Sequence, residues 1–202
     1  MNTNLSLVIQ AGGQSSRMGT DKGLITLHGK TLVEWIVSQT DSLGAEQLII
    51  SNSPELYQDY HLPVYQDVFQ GIGALGGLYS ALYFASYEWV FVLACDMPFI
   101  NLQLLGYMQG LANDFDVLIP RLQDPNATEP FRALYRKNCM ISVEKAIHSG
   151  QRRVISFFPD VRVRYIEWEE ILRFDPHGYS FYNINTPDDL GEAERLAALL
   201  FQ

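Results

Sequence analysis

Glycines and cations are concentrated in one stretch near the start of the chain. Residues 5–22 read LSLVIQAGGQSSRMGTDK, in which Gly12 and Gly13 follow an apolar run and Arg17 and Lys22 come next. Adjacent glycines let the backbone approach a ligand closely, and successive loop N–H groups can then hold an anion. Two nearby cations would neutralise phosphate charge. We therefore expect a nucleotide phosphate-binding loop directly after a first strand; a surface loop with solvated charges is the alternative.

This loop matches neither of the two common nucleotide-binding motifs. The P-loop requires a Ser or Thr after its lysine, whereas Gly23 follows Lys22. The dinucleotide motif G-x-G-x-x-G is broken because Gly12 is followed by Gly13 and then by Gln14. The sequence therefore points away from P-loop NTPases and from dinucleotide-binding enzymes.

Asp96 is the residue that the sequence most strongly suggests as a metal ligand. It follows the apolar run VFVLAC, and Pro98 fixes the direction in which the chain leaves this run. In open α/β sheets, ligands bind beyond the carboxyl ends of the strands. A carboxylate there can hold Mg²⁺, which takes few protein carboxylates together with substrate phosphates. We predict that Asp96 is a metal ligand; the alternative is a residue that caps a turn.

Four further polar residues lie where predicted strands end or just before a predicted helix. Asn52 and Asp67 follow two extended runs, and Asn183 and Asn185 precede the last helix. A carboxylate can accept a hydrogen bond from a ligand, and an asparagine side chain can both donate and accept one. Turn and capping roles remain alternatives for all four residues, since Thr186 and the proline after it already read as a helix start.

Runs typical of strands alternate with runs typical of helices along the whole chain. We predict strands at residues 5–9, 47–52, 63–66, 89–93, 115–119, 130–135 and 161–166. Helices are expected at residues 31–40, 54–60, 79–85, 101–111, 138–148 and 187–200. This alternation predicts a single domain over residues 1–202 with a three-layer α/β/α, Rossmann-like fold and a mostly parallel sheet.

Composition limits the classes of protein that the chain can belong to. Its 202 residues are 48% hydrophobic and 18% charged, which suits one domain with a full core. The net charge of −9 argues against broad binding to nucleic acid. No apolar run reaches the roughly 18 residues of a membrane span, and no signal peptide is evident. We expect a cytoplasmic protein without nucleic-acid or membrane partners, in which Cys95 is a buried residue rather than a nucleophile.

The motifs, taken in order, resemble those of the molybdenum cofactor guanylyltransferases, a family of nucleotidyltransferases. The matching segments are Ala11-Gly12-Gly13, Arg17-Met18-Gly19, Asp21-Lys22, GALGG at 73–77, Asp96-Met97-Pro98, Glu129-Pro130-Phe131, the RRV segment that begins at Arg152, and NINTP at 183–187. Two positions depart from the family pattern: Gln10 stands where a leucine is usual, and Ala74 stands where a proline is usual.

The resemblance implies that GMP is transferred from GTP to the terminal phosphate of the molybdopterin cofactor, with Mg²⁺ present and pyrophosphate released. It assigns phosphate charge to Lys22 and Arg17, and the metal to Asp96. It also places Asp67 near the ribose and Asn183 near the metal and phosphates. Residues of about 1–100 would bind the nucleotide and the remainder would bind the acceptor. The implied nucleotide-binding residues are Gln10, Ala11, Gly12, Gly13, Lys22, Asn52, Asp67, Gly76, Gly77, Asp96, Asn183 and Asn185.

Two alternatives stay open at this point. Gln10 lies where the edge of the base would be read, so a cytidylyltransferase acting on the same cofactor, or another NTP:phosphate nucleotidyltransferase of this fold, is not excluded. The alternative from another class is a non-catalytic nucleotide-sensing or cofactor-carrier protein. The presence of both Lys22 and Asp96 argues against it, since a protein without catalytic activity could lose either residue. The implied protein partners are transient ones, namely cofactor-biosynthesis proteins and acceptor molybdoenzymes.

Overall fold

The computed structural model describes residues 5–11, 21–43 and 46–201, and a seven-stranded sheet lies at its centre. The strands are β1 (Leu5–Gln10), β2 (Thr26–Leu27), β3 (Lys30–Thr31), β4 (Glu46–Ile50), β5 (Val64–Tyr65), β6 (Trp89–Ala94), β7 (Val117–Pro120), β8 (Arg132–Arg136) and β9 (Val163–Ile166). The α-helices are α1 (Leu32–Thr40), α2 (Ala74–Phe84), α3 (Leu102–Gly110), α4 (Cys139–His148), α5 (Trp168–Ile171) and α6 (Pro187–Leu200).

The strand order in the large sheet is β5-β4-β1-β6-β8-β7-β9. Neighbouring strands are parallel except that β8 runs antiparallel to both β6 and β7. The carboxyl ends of β5, β4, β1 and β6 therefore lie side by side at one edge. This is the edge at which α/β sheets bind ligands.

Apolar side chains fill both faces of the sheet. On one face Val8 and Val92 pack with α2, α4 and the 3₁₀ helix Val154–Asp160. On the other face Ile9 and Leu93 pack with α1 and α3. Because the strands are covered on both sides, they read as continuous apolar runs rather than as alternating ones. The predicted three-layer α/β/α fold with a mostly parallel sheet is confirmed.

A smaller cluster lies beside the main sheet. The hairpin of β2 and β3 and the start of α1 pack against α6 through Leu27, Leu32, Trp35 and Leu196. The indole nitrogen of Trp35 donates to the Leu27 carbonyl at 2.5 Å, which fastens the hairpin to α1. The sequence contained no clear signal for this hairpin, for α5 or for Val154–Asp160, because each is short.

Helix starts are partly as predicted. Asn101 caps α3 by accepting from the Leu104 N–H at 2.9 Å, and Thr186 forms a capping box with Asp189 at the start of α6. The sequence also predicts Ser53 as the N-cap of a short helix that begins at Pro54. Ser53 does precede that helix, but its side chain makes no capping hydrogen bond and Pro54–Tyr60 is a 3₁₀ helix. No helix within the described ranges has the length and apolar character needed to cross a bilayer.

Candidate active site

The predicted polar residues meet at the carboxyl edge of four neighbouring strands. Asp67 follows β5, Asn52 follows β4, Gln10 ends β1 and Asp96 follows β6. Neighbouring strands in a sheet lie about 4.8 Å apart, so these four side chains form a row roughly the length of a nucleotide. Two groups of contacting side chains are found in this row, one at each end.

The first group joins three residues that are far apart in the sequence. The Lys22 Nζ lies 2.8 Å from Asp96 Oδ2 and 2.6 Å from Asn185 Oδ1. The Lys22 and Asp96 side chains are 21% and 20% exposed, so the ion pair is partly shielded but can still be reached by a ligand. A carboxylate oxygen and an amide oxygen therefore converge on one ammonium group.

Local backbone structure holds each member of this group in place. Asp21 caps the 3₁₀ helix Lys22–Leu24 by accepting from the Gly23 N–H at 3.1 Å. The Ile184 N–H donates to the Asp96 carbonyl at 2.9 Å, which fastens the segment before α6 to the end of β6. The Asn185 N–H donates to Asp189 Oδ2 at 2.9 Å, so the start of α6 also orients Asn185.

The second group lies at the opposite end of the row. Asn52 Nδ2 donates to Asp67 Oδ2 at 3.0 Å, and the Ser80 hydroxyl lies 3.1 Å from Asp67 Oδ1. Ser80 belongs to α2 and also accepts from the Val68 N–H at 3.0 Å. The Asp67 carboxylate is thus oriented from two sides. Sequence reasoning missed Ser80, which lies within an apolar run.

Between the two groups, β1 meets α2. Gln10 Nε2 donates to the Gly77 carbonyl at 2.8 Å. A Cβ added at Gly77 would lie 2.8 Å from Gln10 Oε1, and one added at Gly76 would lie 2.9 Å from the Phe69 carbonyl oxygen. The predicted helix began at residue 79, whereas α2 begins at Ala74, so both glycines lie in its first turn. Glycine suits both positions because neighbouring groups approach this turn so closely that a side chain would meet them.

The remaining predictions concern Ala11, Gly12, Gly13, Arg17 and Asn183. Ala11 is buried, and its N–H donates to the Ile50 carbonyl at 2.9 Å. Gly12, Gly13 and Arg17 lie outside the described residues. Asn183 donates to the Phe181 carbonyl at 3.4 Å, and it is Asn185 that contacts the Lys22 ammonium.

A buried arginine beneath Asp96 was not singled out in the sequence. Arg132 is 2% exposed, and its Nη2 donates to the Met97 carbonyl. Its Nε and Nη1 have no hydrogen-bond partner in the described part of the chain. Burial lowers the pKa of Arg132 to about 10, although Glu129 and Asp96 favour its charged form. Burial also raises the pKa of the Glu129 carboxyl. A charge was unexpected in a strand that otherwise reads as apolar.

The donor set at the edge suits a hard cation such as Mg²⁺. The oxygens of Asp96 and Asn185 converge on one positively charged point, and Mg²⁺ prefers oxygen ligands. Within the described ranges, no group of three His, Cys, Asp or Glu residues could form a cage of protein ligands alone. Cys95 is buried, and burial raises the pKa of its thiol, so it suits a structural role rather than a nucleophilic one.

An open, mostly parallel sheet with a lysine, carboxylates and small residues at its carboxyl edge defines a nucleotide-binding α/β protein. The comparisons with known proteins narrow this class. The MobA-like NTP transferase domain matches residues 7–163. The chain belongs to this family of nucleotidyltransferases.

Individual relatives extend the similarity over nearly the whole chain. A protein of Peptoclostridium acidaminophilum named "Probable molybdenum cofactor guanylyltransferase" is 35% identical over 192 residues, covering 92% of this chain and 86% of the relative. A protein of the same name from Carboxydothermus hydrogenoformans is 33% identical, covering 97% and 98%. The crystal structure of molybdopterin-guanine dinucleotide biosynthesis protein A from Archaeoglobus fulgidus has a TM-score of 0.83 at 28% identity, covering 96% of this chain and 100% of that chain.

Proposed function

We propose that the protein transfers GMP from GTP to the terminal phosphate of the molybdopterin cofactor, forming the guanine dinucleotide cofactor and pyrophosphate. The observation that carries this proposal is the Lys22 ammonium held between Asp96 and Asn185 at the ligand-binding edge of the sheet. The names of the relatives support the choice of GTP and of the molybdopterin acceptor, since this chain covers most of the length of each relative.

This transfer requires no covalent intermediate with the protein. An oxygen of the acceptor phosphate attacks the α-phosphorus of GTP, and the bond between that phosphorus and the oxygen bridging to the β-phosphate breaks. The electron pair leaves with pyrophosphate. Since the phosphate is already a nucleophile, the protein needs alignment of the two substrates and neutralisation of the charge that builds up. Lys22 supplies positive charge for this task, and we assign Arg17 the same role.

We assign Asp96 and Asn185 to the binding of Mg²⁺, with Asn183 beside them. When bound, the metal would neutralise charge on the phosphates and on the leaving pyrophosphate. The Lys22 ammonium, which contacts Asp96 and Asn185, would lie next to this metal and could donate to the same phosphates.

The row of side chains suggests how the nucleotide lies across the edge. The base would lie against Gln10, Gly76 and Gly77, and the ribose would lie near Asp67 and Asn52. The phosphates would then extend toward Lys22 and Asp96, with Ala11, Gly12 and Gly13 alongside them. Residues of about 1–100 would bind GTP and the remainder the acceptor. We further propose that the protein acts in the cytoplasm, in transient contact with cofactor-biosynthesis proteins and acceptor molybdoenzymes.

Pyrophosphate release is the direct test of this function. The protein is incubated with Mg²⁺, the molybdopterin cofactor and one of GTP, CTP, ATP or UTP, and pyrophosphate is measured. We expect release with GTP that depends on the acceptor. Replacing Lys22 by Ala should lower turnover by about tenfold to a few hundredfold, since a charge-assisted hydrogen bond contributes about 1.5–3 kcal/mol. Asp96→Asn should lower turnover and raise the Mg²⁺ concentration required.

Lys145→Ala is the matched control for Lys22→Ala. The Nζ of Lys145 also forms an ion pair with an aspartate, at 2.9 Å from Asp160 Oδ2, but on the exposed surface of α4. This variant should retain wild-type turnover. Release with CTP in preference to GTP would move the assignment to the cytidylyl alternative. Tight nucleotide binding without pyrophosphate release would instead identify a nucleotide-sensing or carrier protein.

A further inference from the structure

Tyr57 contacts Ala11 and Asp21, the two described residues that flank the glycine-rich segment in the sequence. It belongs to the 3₁₀ helix Pro54–Tyr60 and has no exposed surface. Its hydroxyl donates to Asp21 Oδ1 and lies 3.3 Å from the Ala11 carbonyl oxygen. Ala11 and Asp21 flank residues 12–20 in the sequence. One hydroxyl from a separate element therefore contacts both flanks of this segment.

The contact with Asp21 leads directly to Lys22. The Asp21 oxygen that accepts from Tyr57 also accepts from the Gly23 N–H at 3.1 Å and so caps the short helix that begins at Lys22. From this helix the Lys22 ammonium reaches Asp96 and Asn185. A shift of Asp21 would carry Lys22 with it, because the two residues are adjacent.

Packing leaves little freedom around the hydroxyl. A Cβ added at Gly23 would overlap the Tyr57 hydroxyl and would lie 2.9 Å from Val33 Cγ2. Burial, together with the Asp21 carboxylate, raises the pKa of Tyr57 above its usual range. The hydroxyl therefore stays protonated and donates to Asp21 at any pH at which the enzyme works.

We propose that Tyr57 is a positioning residue, whose hydroxyl holds Asp21 against the end of β1 so that Lys22 is aimed at Asp96 and Asn185. Tyr57 lies too deep to touch the substrate and acts through Asp21. Its effect on turnover rests on the proposed nucleotidyl transfer, whereas its effect on Lys22 can be measured without any substrate.

Tyr57→Phe removes only the hydroxyl, and Tyr60→Phe provides a matched control. Tyr60 lies on the same 3₁₀ helix, and its hydroxyl lies 2.7 Å from Thr31 Oγ1 at the start of α1. Both variants lose one side-chain hydrogen bond from the same element. We expect Tyr57→Phe to lower kcat about tenfold, the equivalent of one charge-assisted hydrogen bond. Tyr60→Phe should retain the wild-type kcat.

A double-mutant cycle separates positioning through Asp21 from a general packing effect. If Tyr57 acts through Asp21, Tyr57→Phe should cost about tenfold in the wild type but less than about twofold once Asp21→Ala has removed its partner. Equal losses in the two backgrounds would overturn the proposal.

The second readout is the chemical reactivity of Lys22 in the absence of substrate. Acylation by acetic anhydride is followed by mass spectrometry, with the 71% exposed Lys145 as internal reference. Lys22 should be acylated several-fold faster in Tyr57→Phe than in the wild type, and at the wild-type rate in Tyr60→Phe. Unchanged Lys22 reactivity in folded Tyr57→Phe would refute the proposal. If that variant does not fold, Asp21→Ala must show the increase instead. A protein without transferase activity that still shows the reactivity change would contradict the proposed function and not the role of Tyr57.

Discussion

At the scale of single residues, Gln10 is the residue that we propose reads the edge of the base. Its Nε2 donates to the Gly77 carbonyl, so its Oε1 is left as an acceptor. Guanine carries N–H donors at N1 and at its exocyclic N2, which such an acceptor would read, whereas its exocyclic O6 is an acceptor. The departure from leucine at this position therefore adds a polar group at the place where the base is expected.

We predict that Gln10→Leu weakens GTP binding by about twofold to tenfold, the effect of losing one ordinary hydrogen bond. Calorimetric titration with GTP, CTP, ATP and UTP in the presence of Mg²⁺ measures both the affinity and the preference among bases. Gln103→Leu, on the exposed surface of α3, is the control. Unaltered affinities for all four nucleotides in Gln10→Leu would remove this residue from base recognition.

At the scale of secondary-structure elements, the first turn of α2 contains glycine where the Gln10 side chain packs against it. Gly77 lies in a helix, where glycine is less favourable than alanine by about 0.5–1 kcal/mol. The close contact with the end of the Gln10 side chain accounts for this choice. Gly191 provides a contrast, since it lies within α6 and a Cβ added there would have no atom within 4 Å among the described residues.

The pair Gly77→Ala and Gly191→Ala tests this distinction. Gly77→Ala should displace the Gln10 amide and weaken GTP binding by about threefold to tenfold, because the base would lose its positioned acceptor. Gly191→Ala should leave GTP binding unchanged and raise the free energy of unfolding by about 0.5–1 kcal/mol. Calorimetry and denaturant unfolding of both variants give these values. The interpretation fails if Gly77→Ala binds GTP as tightly as Gly191→Ala does.

At the scale of the whole molecule, Asp116 joins three strands at the edge of the sheet opposite the active site. Its carboxylate accepts from the Arg162 side chain at 3.0 and 3.1 Å and from Asn138 Nδ2 at 3.3 Å. Its carbonyl accepts from the Arg136 N–H at 2.7 Å, so the start of β7 is bound to the end of β8 and to the start of β9. Hydrogen bonds from Arg162 lower the pKa of Asp116 from 3.8 to about 2.

This shift predicts the acid sensitivity of the fold. The folded state favours the charged carboxylate, so its contribution is complete above about pH 4 and is lost as the pH falls toward 2. Asp116→Asn should therefore lower the free energy of unfolding at pH 7 by about 2 kcal/mol. The free energy of unfolding of Asp116→Asn should also decrease less steeply between about pH 4 and pH 2 than that of the wild type. Some decrease should remain, because the pKa values of Glu46 and Glu170 are also lowered in the folded protein.

Thermal unfolding between pH 2 and pH 7 measures this effect. Asp124→Asn, in an exposed turn where the carboxylate accepts from the Asn126 N–H at 2.9 Å, is the control. Turnover at pH 7 should be unchanged in both variants, because Asp116 lies at the far edge of the sheet. A stability profile of Asp116→Asn that runs parallel to that of the wild type would contradict the assignment.

The layers of the fold and much of the row at its edge could be predicted from the order of residue types along the chain. Strands buried on both faces appear as apolar runs, so their ends, and with them Asn52, Asp67 and Asp96, could be read directly. Helix caps such as Asn101 and Thr186 are equally local, since each depends on residues three positions apart. Parallel strands present their carboxyl ends at a common edge, which is why side chains predicted one by one form a row.

Which of the predicted side chains contact one another could not be predicted, because these contacts depend on how distant elements pack. Lys22 and Asn185 lie 163 positions apart in the sequence, and no local pattern reports their contact. The antiparallel direction of β8, the burial of Arg132 and the reach of Tyr57 to Asp21 likewise depend on strand order and on packing between distant elements. Periodicity records whether a side chain is buried, whereas the partner of a buried polar group is fixed only when separate elements are packed together.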